Sequence, residues 1–383
     1  MVTIKDKKQL AERIFANSKT VVIKVGSSLL VDEMRNSINR SWLTGIASDI
    51  SRLKLANKSV VVVSSGAIAL GRRLLKIDAK NIRLQEKQAA AAVGQVVLAD
   101  AWKEALNVYE IQTAQILLSP DDTETRRKHL NARSTISALL KLGAIPVVNE
   151  NDTVATAEIR FGDNDRLAAR VAAMIGADLL VLLSDIDGLY TGDPKNNKNA
   201  QHIDEVNLVT PKIMAMAGTA NASYASGGMV TKLEAARIAA ASGCAMIICD
   251  GRHTAPLSHI EKGACFTLFK ATQTQQNARK KWIAGALTPK GKMKIDDGAT
   301  VAVSNGRSLL PAGILRVSGQ FERGDLIQVE DSKGFLIGHG LVSYSSEDAK
   351  AICGHKSHEI ESILGYRGRD EMIHADNLVI AQC

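Results

Sequence analysis

Short apolar runs rich in Val, Ile and Leu recur at 20–25, 59–63, 111–118, 144–148, 179–183 and 244–249, and most stop abruptly in a small or polar turn. Runs of this length, bounded by turn residues, read as buried strands. Between them lie segments with helical spacing of apolar residues, at 42–55, 88–105, 125–142, from Asn164 onward and at 233–241. Strands alternating with helices imply βαβ units, and hence an α/β fold with an open, mostly parallel sheet sandwiched by helices. The run 244–249 reads as the last strand of this domain, which closes near Phe269. Residues 1–19 carry only a weak helical pattern (Leu10, Ile14, Phe15) and read as an extension that packs or frays.

From 270 to 280 the chain is polar and lacks apolar periodicity, which predicts a linker. Beyond it, β-type runs at 299–303, 326–330 and 335–339 are separated by Gly-rich turns, and a helix is expected at 346–352. Residues 281–383 therefore read as a small β-rich domain following the larger one at 20–269.

Chemistry concentrates where the strands stop. The run 144–148 ends in Asn149-Glu150-Asn151-Asp152, and a short excursion leads to Gly162-Asp163-Asn164-Asp165 at the start of an Ala-rich helix. In an open α/β sheet, ligands sit beyond the carboxyl ends of the strands, where these amides and carboxylates would lie. Lys24 is anomalous inside a β-branched run, because a charge there must snorkel or meet an anion. Gly26-Ser27-Ser28 follows it and Ser64-Ser65-Gly66 follows the next strand, two turns whose N–H groups can face phosphate oxygens. Ser184-Asp185 ends the run 179–183, and Ser226-Gly227-Gly228-Met229-Val230-Thr231-Lys232 opens the helix at 233–241, a pattern suited to an anion.

Composition narrows the class. Hydrophobic residues at 45% and charged residues at 23% fit a soluble globular protein, and no apolar run reaches bilayer-spanning length. Lys and Glu interrupt the would-be apolar part of residues 1–20, so no secretory signal is expected and a cytoplasmic location follows. Five cysteines without zinc-type spacing argue against a disulfide framework. The formal charge is +8, but from Lys281 onward 12 basic residues face 13 acidic ones, so the excess belongs to the larger domain. That distribution suits phosphate and carboxylate ligands more than nucleic acid. Gly-Gly-Met-Val-Thr-Lys is not a P-loop, and no G-x-G-x-x-G follows a strand. Cys353, His355 and His358 lack a second ligand pair, which disfavours a metal there.

Taken in order, V-V-I-K-V-G-S-S (21–28), V-S-S-G-A-I-A-L-G (63–71), V-N-E-N-D-T-V-A-T-A-E-I-R-F-G-D-N-D (148–165), S-D-I-D-G-L-Y-T-G-D-P (184–194) and G-G-M-V-T-K-L-E-A-A (227–236) resemble the amino acid kinase family. The likeness is closest to its glutamate-phosphorylating branch. S-L-L-P-A-G-I (308–314) and G-H-K-S-H-E-I-E-S-I-L-G-Y (354–366) are similar to a C-terminal PUA domain. The resemblance implies the amino acid kinase fold at 20–269, a PUA-like domain at 281–383, and ATP with Mg²⁺ as cofactors. The implied activity is ATP-dependent phosphorylation of the γ-carboxylate of L-glutamate, the first step of proline biosynthesis.

By the same resemblance, Lys24 and Lys232 neutralise charge on the transferring phosphoryl group, and Asp165 holds those lysines. Ser65, Asp152 and Asn164 match glutamate-binding positions, with Asn149 and Gly66 beside them. The nucleotide positions are Lys24, Gly26, Ser184, Asp185 and the stretch Ser226, Gly227, Gly228, Met229, Val230, Thr231 and Lys232. Ser184 and Ser226 stand where close relatives often carry Thr, and both keep the hydroxyl. No dedicated protein site for the metal is implied; Mg²⁺ is expected through the ATP phosphates. Proline as feedback inhibitor, a homo-oligomer and contact with glutamate-5-semialdehyde dehydrogenase are further implications. Two alternatives stand beside this reading, a sibling kinase with another acceptor and RNA binding through the PUA-like domain.

Overall fold

A computed structural model describes residues 3–32, 37–78, 82–154, 164–217, 228–278 and 289–380. The chain divides into two compact units, Met1–Glu124 with Asn131–Gln275, and Thr125–Leu130 with Gln276–Cys383.

Among the described residues of the first unit, eight strands form one sheet: β1 Thr20–Val25, β2 Ser59–Ser64, β3 Thr113–Leu118, β4 Ile145–Glu150, β5 Leu179–Ser184, β6 Glu205–Val206, β7 Ala245–Asp250 and β8 Phe266–Phe269. Their order is β6-β8-β7-β5-β1-β2-β4-β3. β1 to β5 and β7 run parallel to one another, as the alternation with helices predicts. Both faces are covered, and the strand period of two divides the core accordingly. Val21, Ile23, Val60, Val62, Leu179 and Val181 join one buried cluster, which includes Trp42, Leu98 and Trp102 from the helices Arg40–Leu55 and Leu84–Asn107. Val22, Val61, Val63, Leu180 and Leu182 join the other, under the helices Asn164–Ile175 and Met229–Ala241.

One expectation for this unit needs correction. The run 244–249 is not the last strand, because β8 returns antiparallel beside β7. The helix between them, Pro256–Glu261, is too short for the crossover that a parallel return requires. Of the two outcomes expected for the N-terminal extension, the described residues 3–19 show packing. The helix Ile4–Asn17 begins with a Thr3 capping box, buries Ala11 and Phe15 in the first core cluster, and packs against Pro256–Glu261. The polar stretch from 270 is tied down through Gln275: Thr272 Oγ1 donates to Ala240 O at 3.0 Å and Gln275 Nε2 to Asp178 Oδ1 at 2.9 Å.

The second unit carries a sheet of β9 Gly291–Ile295, β10 Ile314–Gly319, β11 Leu326–Glu330, β12 Leu336–Leu341 and β13 Leu378–Ile380, in the order β10-β9-β11-β12-β13. The strand expected at 299–303 is instead part of the helix Asp297–Ser304. Asp296 accepts a hydrogen bond from Ala299 N at 2.6 Å, an N-cap that outweighs the β-branched side chains of Thr300, Val301 and Val303. Val303 and Ala299, four residues apart, face the core of this unit, while Val301 is exposed.

Candidate active site

The parallel strands end level with one another. Val25 of β1 pairs with Ser64 of β2 and Leu183 of β5, Asp250 of β7 with Ser184, and Leu118 of β3 with Glu150 of β4. The residues that follow leave the sheet along one edge: Gly26, Ser65, Gly66, Asn151, Asp152, Asp185 and Gly251. β1 is the strand at which the order reverses, with β2, β4 and β3 on one side and β5 and β7 on the other. That reversal opens a crevice where the helices depart to opposite faces. Gly66 takes φ +113°, which favours glycine, and a Cβ there would lie 3.9 Å from Ser27. The turn after β1 and the turn after β2 therefore rest against each other.

Three charged side chains meet on one face of β1. Strand alternation places Lys24 on the same side as Val22, beneath the helix Asn164–Ile175. Lys24 Nζ lies 2.5 Å from Asp165 Oδ1, and Lys232 Nζ, from the first turns of Met229–Ala241, lies 3.1 Å from Asp165 Oδ2. All three are buried, and Asp165 is fully so. Burying a carboxylate costs on the order of several kcal/mol unless opposite charges and hydrogen bonds compensate it. Here each carboxylate oxygen has its own ammonium group, which fixes both lysines without exposing them. The charge inside the β-branched run thus meets an anion and does not snorkel.

Beside this cluster lies a chain of amides. Asn164, adjacent to Asp165 at the helix start, donates from Nδ2 to Ser65 Oγ at 2.6 Å and to Asn149 Oδ1 at 3.0 Å. Asn149, buried at the end of β4, donates from its own Nδ2 to Gln95 Oε1 at 2.8 Å. Trp102 Nε1, one side of the same helix as Gln95, donates to Ser64 Oγ at 2.9 Å. Asp152 sits beyond Asn151 in the turn that follows β4.

Comparison with known proteins shows the family. Residues 19–250 match the amino acid kinase family and residues 291–364 the PUA domain. A glutamate 5-kinase of Paramagnetospirillum magneticum is 56% identical over 365 residues, covering 95% of this chain and 98% of the relative. Glutamate 5-kinases of Rhizobium etli, 54% identical over 96% of this chain and 94% of theirs, and of Rhizobium leguminosarum bv. trifolii, 55% identical over 94% and 93%, are similar to it as well. The chain belongs to the glutamate 5-kinase branch of the amino acid kinase family.

Of the positions that resemblance to the amino acid kinases singles out, Lys24, Asp165 and Lys232 form one cluster and Ser65, Asn149 and Asn164 another. Ser184 Oγ donates to Asp185 Oδ1 at 3.1 Å beyond β5. Gly228 precedes the helix Met229–Ala241, whose first turn carries Met229, Val230 and Thr231. Thr231 Oγ1 donates to Gly228 O at 2.7 Å and lies 3.4 Å from Asp165 Oδ2, so this turn is joined to the lysine cluster. Ser226 and Gly227, like Gly162 and Asp163, lie outside the described residues.

The sequence motifs do not include Gln95 and Trp102, yet a signal exists. Ala91, Gln95, Leu98 and Trp102 recur at helical spacing, and Gln95 is the polar member of that buried stripe. A buried polar residue is more informative than an exposed one.

Beyond β5, the phenol of Tyr190 donates to Asp187 at 3.0 Å. Burial, and then that hydrogen bond, push its pKa up to about 12, so it stays a donor.

Proposed function

We propose that the chain transfers the γ-phosphoryl group of ATP to the γ-carboxylate of L-glutamate, giving ADP and γ-glutamyl phosphate on the route to proline. The observation that supports this most is the pair Asn164 and Asp165, which joins an amide cluster to a lysine cluster at the strand ends.

A γ-carboxylate, with an ordinary pKa of about 4.3, is ionised near neutral pH, so the reaction needs no general base. One of its oxygens bonds to the γ-phosphorus while the bond from that phosphorus to the ADP oxygen breaks. ADP leaves with the electron pair, and no proton moves. What the protein must supply is relief from repulsion between two anions. Lys24 and Lys232, held by Asp165, carry positive charge to the phosphoryl oxygens, and the N–H groups of the Gly26, Gly66 and Gly228 turns add to it. Ser65, Asn149, Asn164 and Asp152 hold glutamate, whose ammonium group suits the Asp152 carboxylate. Ser184, Asp185 and the turn leading to Met229, Val230 and Thr231 receive the nucleotide, with Ser226 and Gly227 assigned to it by resemblance.

Mg²⁺, when bound, neutralises charge on the nucleotide phosphates. Among the described residues no group of three or more His, Cys, Asp or Glu could hold a metal, and each oxygen of Asp165 faces an ammonium group. These residues fit a metal carried in on ATP. In this reading proline inhibits at or overlapping the glutamate site, the protein is a homo-oligomer built through the kinase domain, and glutamate-5-semialdehyde dehydrogenase receives the labile product. No described helix is long and apolar enough to cross a membrane. We place the enzyme in the cytoplasm, where its substrates are.

The reading is tested by trapping the acyl phosphate as a hydroxamate with Mg-ATP and glutamate, N-acetylglutamate or aspartate in parallel, each with and without proline. Product from glutamate alone, suppressed by proline, is expected. Product only from another acceptor would replace the substrate while keeping the lysine cluster.

A further inference from the structure

Helix Leu84–Asn107 runs unusually close to helix Ala67–Leu74, which follows the Ser65-Gly66 turn. A Cβ at Gly71 would lie 1.7 Å from Ala90 O, and one at Gly94 only 1.8 Å from Ala67 O, so no side chain fits between the two backbones. This approach brings the residue after Gly94 to the end of β4, where Gln95 meets Asn149.

The hydrogen-bond directions along this chain are mutually fixed. Ser64 O, a carbonyl that can only accept, lies 3.4 Å from Asn164 Nδ2, so the nitrogen of that amide faces the strand end. Asn149 must then present its oxygen to Asn164 and its nitrogen to Gln95, whose oxygen closes the series. Ser65 Oγ already accepts from Asn164, which turns its own hydroxyl hydrogen outward to donate. Among the described residues the other half of the Gln95 amide, Nε2, is buried without a partner. An orphaned buried donor is costly, so a residue needed only for packing would be Leu or Met at this place in the stripe.

We propose that Gln95 is a positioning residue for the acceptor subsite: its Oε1 orients Asn149, and through Asn149 and Asn164 it sets the direction of the Ser65 hydroxyl. This rests on the assignment of Ser65, Asn149 and Asn164 to glutamate. Without an acceptor at residue 95, Asn149 Nδ2 loses its partner and the amide turns, releasing Asn164 and Ser65 from their fixed directions. The effect falls on glutamate and leaves the lysine cluster and the nucleotide side in place.

The test uses the full chain and compares Gln95→Met, which keeps the shape and removes the oxygen, with Gln95→Glu, which keeps an oxygen facing Asn149. Gln95→Met is expected to raise the KM for glutamate about tenfold, the effect of one buried hydrogen bond. The KM for ATP and kcat should change less than about threefold, and Gln95→Glu should restore most of the KM. Combining Gln95→Met with Asn149→Ala should add little to Asn149→Ala alone, since both act through one contact. An unchanged glutamate KM in folded Gln95→Met, equal impairment in Gln95→Glu, or additive effects with Asn149→Ala would each overturn the inference. Should Gln95→Met fail to fold, Gln95→Ala, which also removes the oxygen, takes its place in the same comparison with Gln95→Glu. A wild-type protein inactive on glutamate would instead sink the proposed function, a separate and visible failure.

Discussion

Asn164 and Asp165, adjacent at the start of one helix, reach into two different clusters: Asn164 Nδ2 lies 2.6 Å from Ser65 Oγ, and Asp165 holds Lys24 and Lys232 on its two oxygens. One rigid element thereby fixes the separation between the proposed acceptor subsite and the lysines proposed to meet the phosphoryl charge. Positioning of this kind matters because small displacements between reacting groups carry large rate penalties.

Replacing either lysine of the cluster is expected to act on turnover. Lys24→Met or Lys232→Met should lower kcat by about a hundredfold to a thousandfold, the loss typical when a group that stabilises developing charge is removed. Glutamate KM should move only a few-fold. Hydroxamate formation by the purified, folded variants measures this, and near wild-type turnover in either one would remove that lysine from the phosphoryl subsite.

Asp165→Asn should cost stability as well as activity. Removing the carboxylate takes the counter-charge from two buried ammonium groups, and breaking a buried pair typically costs about 3–5 kcal/mol. Urea denaturation followed by circular dichroism would show the loss. A variant as stable as wild type would mean that the lysines are held by other groups.

Much of this arrangement is legible in the amino-acid order. Lys24 stands out because the residues around it, Val22, Ile23 and Val25, leave no place for a charge unless an anion waits. Gln95 is legible in the same way, as a polar residue on an apolar stripe, but the alanines around it hide the stripe because Ala fits either face of a helix. The strand Phe266–Phe269 is too short to show a period. At 297–304 the β-branched residues mislead, since the deciding group is the Asp296 carboxylate just ahead of them. The N-terminal helix looks weak because only Ala11 and Phe15 bury fully, and its anchor, Lys7, pairs with residues distant in the chain.

That anchor predicts a pH dependence. Lys7 Nζ lies 2.9 Å from Asp204 Oδ1 and 3.1 Å from Cys265 Sγ. Burial opposes its charge, but the hydrogen bonds it donates to Asp204 and Cys265 outweigh burial and raise the Lys7 pKa. For Asp204, burial raises the pKa, but Lys7 and then His202 together lower it by more, so the net shift is downward. The lysine contribution is complete below its unfolded value of about 10.4 and is lost as pH rises through the higher folded value. The carboxylate contribution is complete above about 3.9 and is lost as pH falls through the lower folded value. Asp204→Asn should therefore cost about 1 kcal/mol at neutral pH, less at high salt because the pair is partly exposed. Urea midpoints of the two proteins should converge as pH falls below about 4. A gap that persists there would show that the ion pair is not its source.

Gly94→Ala tests the helix approach that delivers Gln95. Its Cβ would lie 1.8 Å from Ala67 O, so the helices must separate, at a cost of about 1–3 kcal/mol. A lower melting temperature together with a raised glutamate KM is expected. Loss of stability with an unchanged KM would uncouple the helix spacing from the acceptor subsite.

The most direct measurement asks which oxygen attacks phosphorus. Glutamate labelled with oxygen-18 in its γ-carboxylate is incubated with Mg-ATP, and the acyl phosphate is cleaved at carbon by hydroxylamine. If the γ-carboxylate is the nucleophile, the released inorganic phosphate carries one labelled oxygen. Unlabelled phosphate would mean that water, not glutamate, receives the phosphoryl group, and would contradict the account.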